Sequence, residues 1–104
     1  MINFALLGTG RIGKLHASII NAHPEASLKY VYDIDKSSAK KIAKKYSCKV
    51  AKTAKEAISS DQINAILIAS ATPTHTDYIA LGAEFNKAIL CEKPIDLDIN
   101  KVNK

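Results

Sequence analysis

The stretch Phe4-Ala5-Leu6-Leu7-Gly8-Thr9-Gly10-Arg11-Ile12-Gly13-Lys14-Leu15-His16-Ala17 decides the fold. Its four opening apolar residues read as a strand covered on both faces, because a half-exposed strand would alternate with polar residues. They run directly into Gly8-x-Gly10-x-x-Gly13, and Ile12, Leu15, Ile19 and Ile20 recur at helical spacing. Pro24 lies just past this pattern, so a helix is expected over about 12–21. In a strand–turn–helix each glycine has a separate task. Gly8 permits the tight turn, Gly10 leaves the backbone bare where a pyrophosphate would approach, and Gly13, with Ala17, lets the helix lie close to the strand. The helix start offers free amides and a partial positive charge to phosphate. Glycines at this spacing also serve plain turns, so the residues around them must decide.

Those residues repeat the strand–helix alternation. A second strand is expected over 28–32, ending at Asp33-Ile34-Asp35, with Asp35 as N-cap of a helix that turns Ala39, Ile42, Ala43 and Tyr46 inward and its lysines outward. A short third strand over 49–51 precedes Thr53-Ala54-Lys55-Glu56, a capping box that opens a brief helix to about residue 59. A fourth strand over 65–69, a loop over 70–74, a helix ending near Phe85 with Asn86 in a left-handed turn, and a fifth strand over 88–91 follow. Residues 96–104 read as the start of another helix with Ile99 and Val102 on one side. The fold class is therefore α/β, a doubly wound parallel sheet of about five strands, of the Rossmann dinucleotide-binding type. The sixth strand of the order 3-2-1-4-5-6 is missing, which leaves strand five as an edge.

The 104 residues, 47% hydrophobic and 24% charged, suffice for one domain, 1–104, and leave no room for a second. No apolar run approaches the ~20 residues of a membrane span, and the opening residues lack the pattern of a secretion signal, so no membrane partner and a cytoplasmic location are expected. Cys48 and Cys91 form no Cys-x-x-Cys pair and read as small, buried or half-buried apolar residues; no metal site is expected. The net charge of +5 raises nucleic acid as a partner. Many lysines, however, cluster over 36–55 with Tyr46 as the only aromatic among them, which suits a solvated helix face better than a base-stacking surface. No nucleic-acid partner is expected.

Asp33 stands 20 residues beyond Gly13 (33 minus 13) and ends the second strand. A carboxylate there accepts hydrogen bonds from the adenosine ribose and repels a 2′-phosphate, favouring NAD over NADP. Asp33 could instead only cap the following helix, a task for which Asp35 is better placed. Lys36 is the nearest cation that could meet a 2′-phosphate.

The glycine loop through Ala17, taken with Cys91-Glu92-Lys93-Pro94, resembles the N-terminal domain of the Gfo/Idh/MocA oxidoreductases. Within that family, Ala69-Ser70-Ala71-Thr72-Pro73-Thr74-His75-Thr76-Asp77 and Cys91-Glu92-Lys93-Pro94-Ile95-Asp96-Leu97-Asp98 are similar to the myo-inositol 2-dehydrogenases. The resemblance extends over essentially the whole chain. It implies an NAD-dependent oxidoreductase acting on a cyclitol or sugar, with Gly8, Thr9, Gly10, Arg11, Ile12, Gly13, Asp33 and Ile34 on the adenosine and pyrophosphate side. It places Ser70, Ala71, Thr72 and His75 along the nicotinamide half, and Glu92 beside the nicotinamide ribose. Lys93 becomes the catalytic residue, orienting the reacting hydroxyl and favouring its deprotonation as hydride leaves, with Pro94 fixing the backbone. Without the resemblance, Glu92 and Lys93 would read as a surface ion pair.

The family also carries a second domain that supplies an Asp and a His near the substrate, and this chain has neither. The expectation is thus a truncated NAD-binding domain that binds cofactor at most and associates as a homo-oligomer, a dimer, through the uncovered sheet edge or face. A stand-alone dinucleotide-binding module, an inert remnant, and a dehydrogenase for another sugar or cyclitol remain open alternatives.

Overall fold

A computed structural model describes residues 2–69 and 75–91. Five strands, β1 (Ile2–Leu7), β2 (Ala26–Tyr32), β3 (Lys49–Val50), β4 (Ala65–Ile68) and β5 (Ala88–Cys91), alternate with α1 (Arg11–Ala22), α2 (Lys36–Tyr46), α3 (Ala54–Ser59) and α4 (His75–Glu84). All strand pairs are parallel, in the order β3-β2-β1-β4-β5. The chain builds outward from β1 to β3, crosses back, and continues from β4 on the other side. The carboxyl ends of β1 and β4 therefore flank the switch point at which open α/β sheets bind ligands. The expected helix over 96–104 lies outside the described residues.

The apolar runs bury as their continuity requires: Ala5, Leu6, Leu7, Ile66 and Ile68 have no exposed surface, and Leu67 has little. Alternate residues serve opposite faces. Leu6, Leu28, Val31 and Leu67 pack with Ala17, Ile20, Ala39, Ile42 and Ala43 of α1 and α2. Ala5, Leu7, Ile66 and Ile68 pack with Ala57 and Ile58 of α3, joined by Tyr78, Leu81 and Phe85 on the α4 side. A bulge in β2 at Lys29, where Phe4 pairs with Leu28 but Ala5 with Tyr30, resets which residues face which layer.

The face of α1 turned to the sheet is the one that carries Gly13 and Ala17. Leu15 and Ile19 are 55% and 53% exposed, whereas Gly13, Ala17 and Ile20 are buried. The cause is close approach: a Cβ on Gly13 would stand 2.0 Å from the Gly8 carbonyl oxygen, so the face with the smallest side chains must be the one turned to the sheet. In α2, the expected residues Ala39, Ile42 and Ala43 are buried and Tyr46 is half-buried. Lys36, Lys40, Lys41, Lys44 and Lys45 are exposed, so the run of positive charge is a solvated helix face. Asp35 caps this helix by accepting from the Ser38 amide at 3.2 Å, and the Thr53 hydroxyl accepts from the Glu56 amide at 3.1 Å to open α3. Asn86 has φ 58°, the left-handed turn expected after α4. Ser47, with φ 57°, ends α2 in the same way. Cys48 is a free, half-buried thiol whose pKa burial pushes upward.

Candidate functional site

The glycine loop sits at the switch point because three contacts hold it there. Gly8, at φ 106°, adopts a conformation that side chains resist, and its amide donates to the Tyr32 carbonyl at 2.8 Å. Gly13 presses α1 onto Gly8, leaving no room for a methyl group. The Ala69 amide donates to the Leu7 carbonyl at 2.7 Å, which brings the end of β4 to the same place.

Gly10 differs from Gly13. It is the N-cap of α1, its side makes no cap hydrogen bond, and a Cβ built on it would meet nothing within 4 Å. No acidic side chain lies in the first turn of α1. The helix start thus has neither a side-chain cap nor an acidic side chain in its first turn, with open space beside Gly10, an arrangement that suits an anionic group. Arg11 is exposed and Ile12 half-buried in the same turn.

Asp33 ends β2 beside this loop. Its Oδ2 accepts from the Thr9 amide at 2.7 Å and lies 2.9 Å from the Thr9 hydroxyl, while Oδ1 accepts from the Asp35 amide at 2.9 Å. Partial burial pushes its carboxyl up, but the Thr9 amide, the Asp35 amide and the Thr9 hydroxyl together hold it below the ordinary carboxylate range. Asp33 is therefore a fixed anion. Neighbouring Ile34 is 78% exposed, an apolar side chain left open next to that charge. The Lys36 ammonium, by contrast, is engaged: it donates to the Lys52 carbonyl at 3.0 Å and sits 5.2 Å from the centre of the Tyr32 ring. From α4, the half-buried Tyr78 has its phenol pKa raised by burial, with Tyr32, Asp33 and Asp77 adding to the effect.

Of the residues singled out from sequence, Gly8, Thr9, Gly10, Arg11, Ile12, Gly13, Asp33 and Ile34 are thus brought together at the carboxyl end of the sheet. His75 begins α4 on the same side. Ser70, Ala71, Thr72, Glu92, Lys93 and Pro94 lie outside the described residues. Ser38 was not singled out; its Oγ lies 2.8 Å from the Thr9 hydroxyl and 3.0 Å from the Thr9 carbonyl. A contact spanning 29 residues gives no local signal in the sequence. Among the described residues, no cluster of three or more His, Cys, Asp or Glu side chains is placed to hold a metal, and no helix is long and apolar enough to cross a membrane.

Residues 2–104 match the family model described as Gfo/Idh/MocA, an oxidoreductase family with an NAD-binding Rossmann fold. An inositol 2-dehydrogenase of Rhizobium meliloti (strain 1021) is 43% identical over 101 residues, which is 97% of this chain but 30% of the relative. A crystal structure from Sinorhizobium meliloti 1021, assigned as a myo-inositol dehydrogenase, superposes with a TM-score of 0.87 at 42% identity, covering 99% of this chain and 31% of that one. The scyllo-inositol dehydrogenase of Lactobacillus casei, solved with bound NAD(H) and scyllo-inositol, superposes with a TM-score of 0.83 at 26% identity, covering 99% and 31%. The chain spans just under a third of the length of the relatives it matches.

Proposed function

Because the chain belongs to the Gfo/Idh/MocA oxidoreductases, with their NAD-binding Rossmann fold, we propose that residues 1–104 form one domain whose glycine loop and Asp33 bind the adenosine half of NAD. The observation that carries this reading is the open space at Gly10, next to an uncapped helix start and a fixed carboxylate. The amides of the first turn of α1 would receive the pyrophosphate, Asp33 a ribose hydroxyl, and the exposed face of Ile34 the adenine. NAD is preferred to NADP. A 2′-phosphate would be brought against the Asp33 carboxylate, and Lys36 is already committed to Lys52 and Tyr32.

The proposed substrate class is a cyclitol, inositol above all, since the relatives named above are inositol dehydrogenases; another sugar is the alternative. When bound, the nicotinamide supplies the hydride acceptor. Lys93 would orient the reacting hydroxyl and ease loss of its proton, Glu92 and Pro94 would hold that turn, and Ser70, Ala71, Thr72 and His75 would line the nicotinamide side. Residues 1–104 taken by themselves are proposed to bind the dinucleotide without turning a substrate over. We further propose a cytoplasmic location, and a dimer: β5 is the edge of the described sheet, Leu90 on it is 49% exposed, and an apolar groove of about 340 Å³ runs beside it along Ile2, Phe4, Ile19, Ile20 and Leu67.

Amide chemical shifts followed during NAD addition test the binding reading. Saturable changes concentrated at Gly8–Gly13 and Asp33 are expected. Changes confined to other parts of the sheet, or none at millimolar NAD, would reject it.

A further inference from the structure

Thr9 is wholly buried in a loop whose neighbour Gly10 is open to solvent, and each of its polar groups is engaged by one of two residues far along the chain. Its amide and hydroxyl reach Asp33 Oδ2 at 2.7 and 2.9 Å. Its hydroxyl and carbonyl reach Ser38 Oγ at 2.8 and 3.0 Å. The protons assign the directions. An ionised carboxylate only accepts, so the single Thr9 hydroxyl proton goes to Asp33. The single Ser38 proton then goes to the Thr9 hydroxyl oxygen or the Thr9 carbonyl, and in either case Ser38 holds Thr9 in place. Ser38 is itself anchored, because its amide donates to the Asp35 cap.

Asp33 is left with little freedom. Of the roughly four lone-pair positions a carboxylate offers, Oδ2 has two occupied by Thr9 and Oδ1 has one occupied by the Asp35 amide. The remaining acceptor position is on Oδ1.

We propose that Thr9 and Ser38 are positioning residues for dinucleotide selection, which hold the Asp33 carboxylate in one orientation so that only Oδ1 is offered to a ribose hydroxyl. The proposal rests on the reading that the cradle binds NAD. Without the Thr9 hydroxyl, Asp33 would turn and share its charge with solvent, and would both grip a ribose less well and repel a 2′-phosphate less effectively.

The test compares Thr9→Val, which keeps the shape and loses the hydroxyl, with Thr9→Ser, which restores it, and Ser38→Ala. Two quantities are read: the titration midpoint of the Asp33 carboxyl by carbon NMR in the absence of ligand, and calorimetric affinities for NAD and NADP. Thr9→Val should raise the Asp33 midpoint and weaken NAD about tenfold while changing NADP less than about threefold, a hydrogen bond to a charged group being worth roughly this factor. Thr9→Ser should return both quantities to parental values, and Ser38→Ala should move both in the direction of Thr9→Val by a smaller amount. If Thr9→Val does not fold, Ser38→Ala carries the same comparison. An unchanged Asp33 midpoint, or equal weakening of NAD and NADP, would overturn the proposal, since a loop that is merely loosened treats both ligands alike. A parent protein that binds neither dinucleotide, with an Asp33 midpoint that still moves and is restored by serine, would reject the NAD reading and support the hold on Asp33.

Discussion

Replacing Gly13 by alanine tests the geometry of the loop and the packing beneath it together. The added Cβ would lie 2.0 Å from the Gly8 carbonyl oxygen and 2.8 Å from its carbon. An ordinary close carbon–oxygen contact is about 3.3 Å, so helix and loop must separate by about 1.3 Å. Gly8 cannot easily retreat, because its amide is bonded to Tyr32 at 2.8 Å and its φ of 106° is already unusual. The obstacle is backbone, not a side chain that could choose another rotamer. Overpacking costs about 1–3 kcal/mol, and this case belongs at the upper end; the gain in helix propensity from glycine to alanine returns up to about 1 kcal/mol. The net loss is about 2 kcal/mol, which for a domain of this size lowers Tm by roughly 8–16 °C. Thermal unfolding followed by circular dichroism measures it. A Gly13→Ala protein with Tm within about 3 °C of the parent would refute the claim that close approach of α1 dictates which of its faces is buried.

Gly82→Ala should be milder: its Cβ would meet the Ile66 and Ile89 side-chain ends at 2.8 and 3.0 Å, which can shift, so a Tm drop of about 4–8 °C is expected in the same assay. Asp33 has a lowered pKa in the folded chain, so it stabilises the fold above its ordinary value of 3.8, and that contribution disappears as pH falls through the lowered value. Urea unfolding between pH 2 and 6 should show Asp33→Asn flattening this acid limb; an unaltered pH dependence would contradict the bonding described at Thr9. Light scattering should report a dimer, and a monodisperse monomer at high concentration would remove the proposed association through β5 and its groove.

The legible parts of the fold were those in which local chemistry and burial agree. Phe4–Leu7 and Ala65–Ile68 announce covered strands by their unbroken apolar character, and Asp35, Thr53 and Asn86 mark helix ends through hydrogen bonds or conformations that short-range sequence specifies. The inner face of α1 is legible from Gly13 and Ala17 rather than from its large apolar residues. Hydrophobic periodicity weighs Leu15 and Ile19 heavily, but the helix is drawn so close to the loop that only glycine and alanine fit beneath its first turns. Ser47 carries no left-handed signal of the kind that glycine or asparagine gives, yet it ends α2 at φ 57°. At the site, the glycines and Asp33 were visible from spacing, whereas the link through Thr9 and Ser38 depends on two segments that meet only in the folded sheet.

The cradle itself is tested most directly by calorimetric titration of NAD into the parent protein and into Gly10→Ala. A methyl group at Gly10 touches no protein atom within 4 Å and the backbone there is ordinary, with φ −74°, so the fold should be unaffected. The same methyl would occupy the space assigned to the pyrophosphate. Saturable binding by the parent and its loss in a Gly10→Ala protein of unchanged Tm is the predicted result; equal affinity in the two proteins, or no heat from the parent, would contradict it.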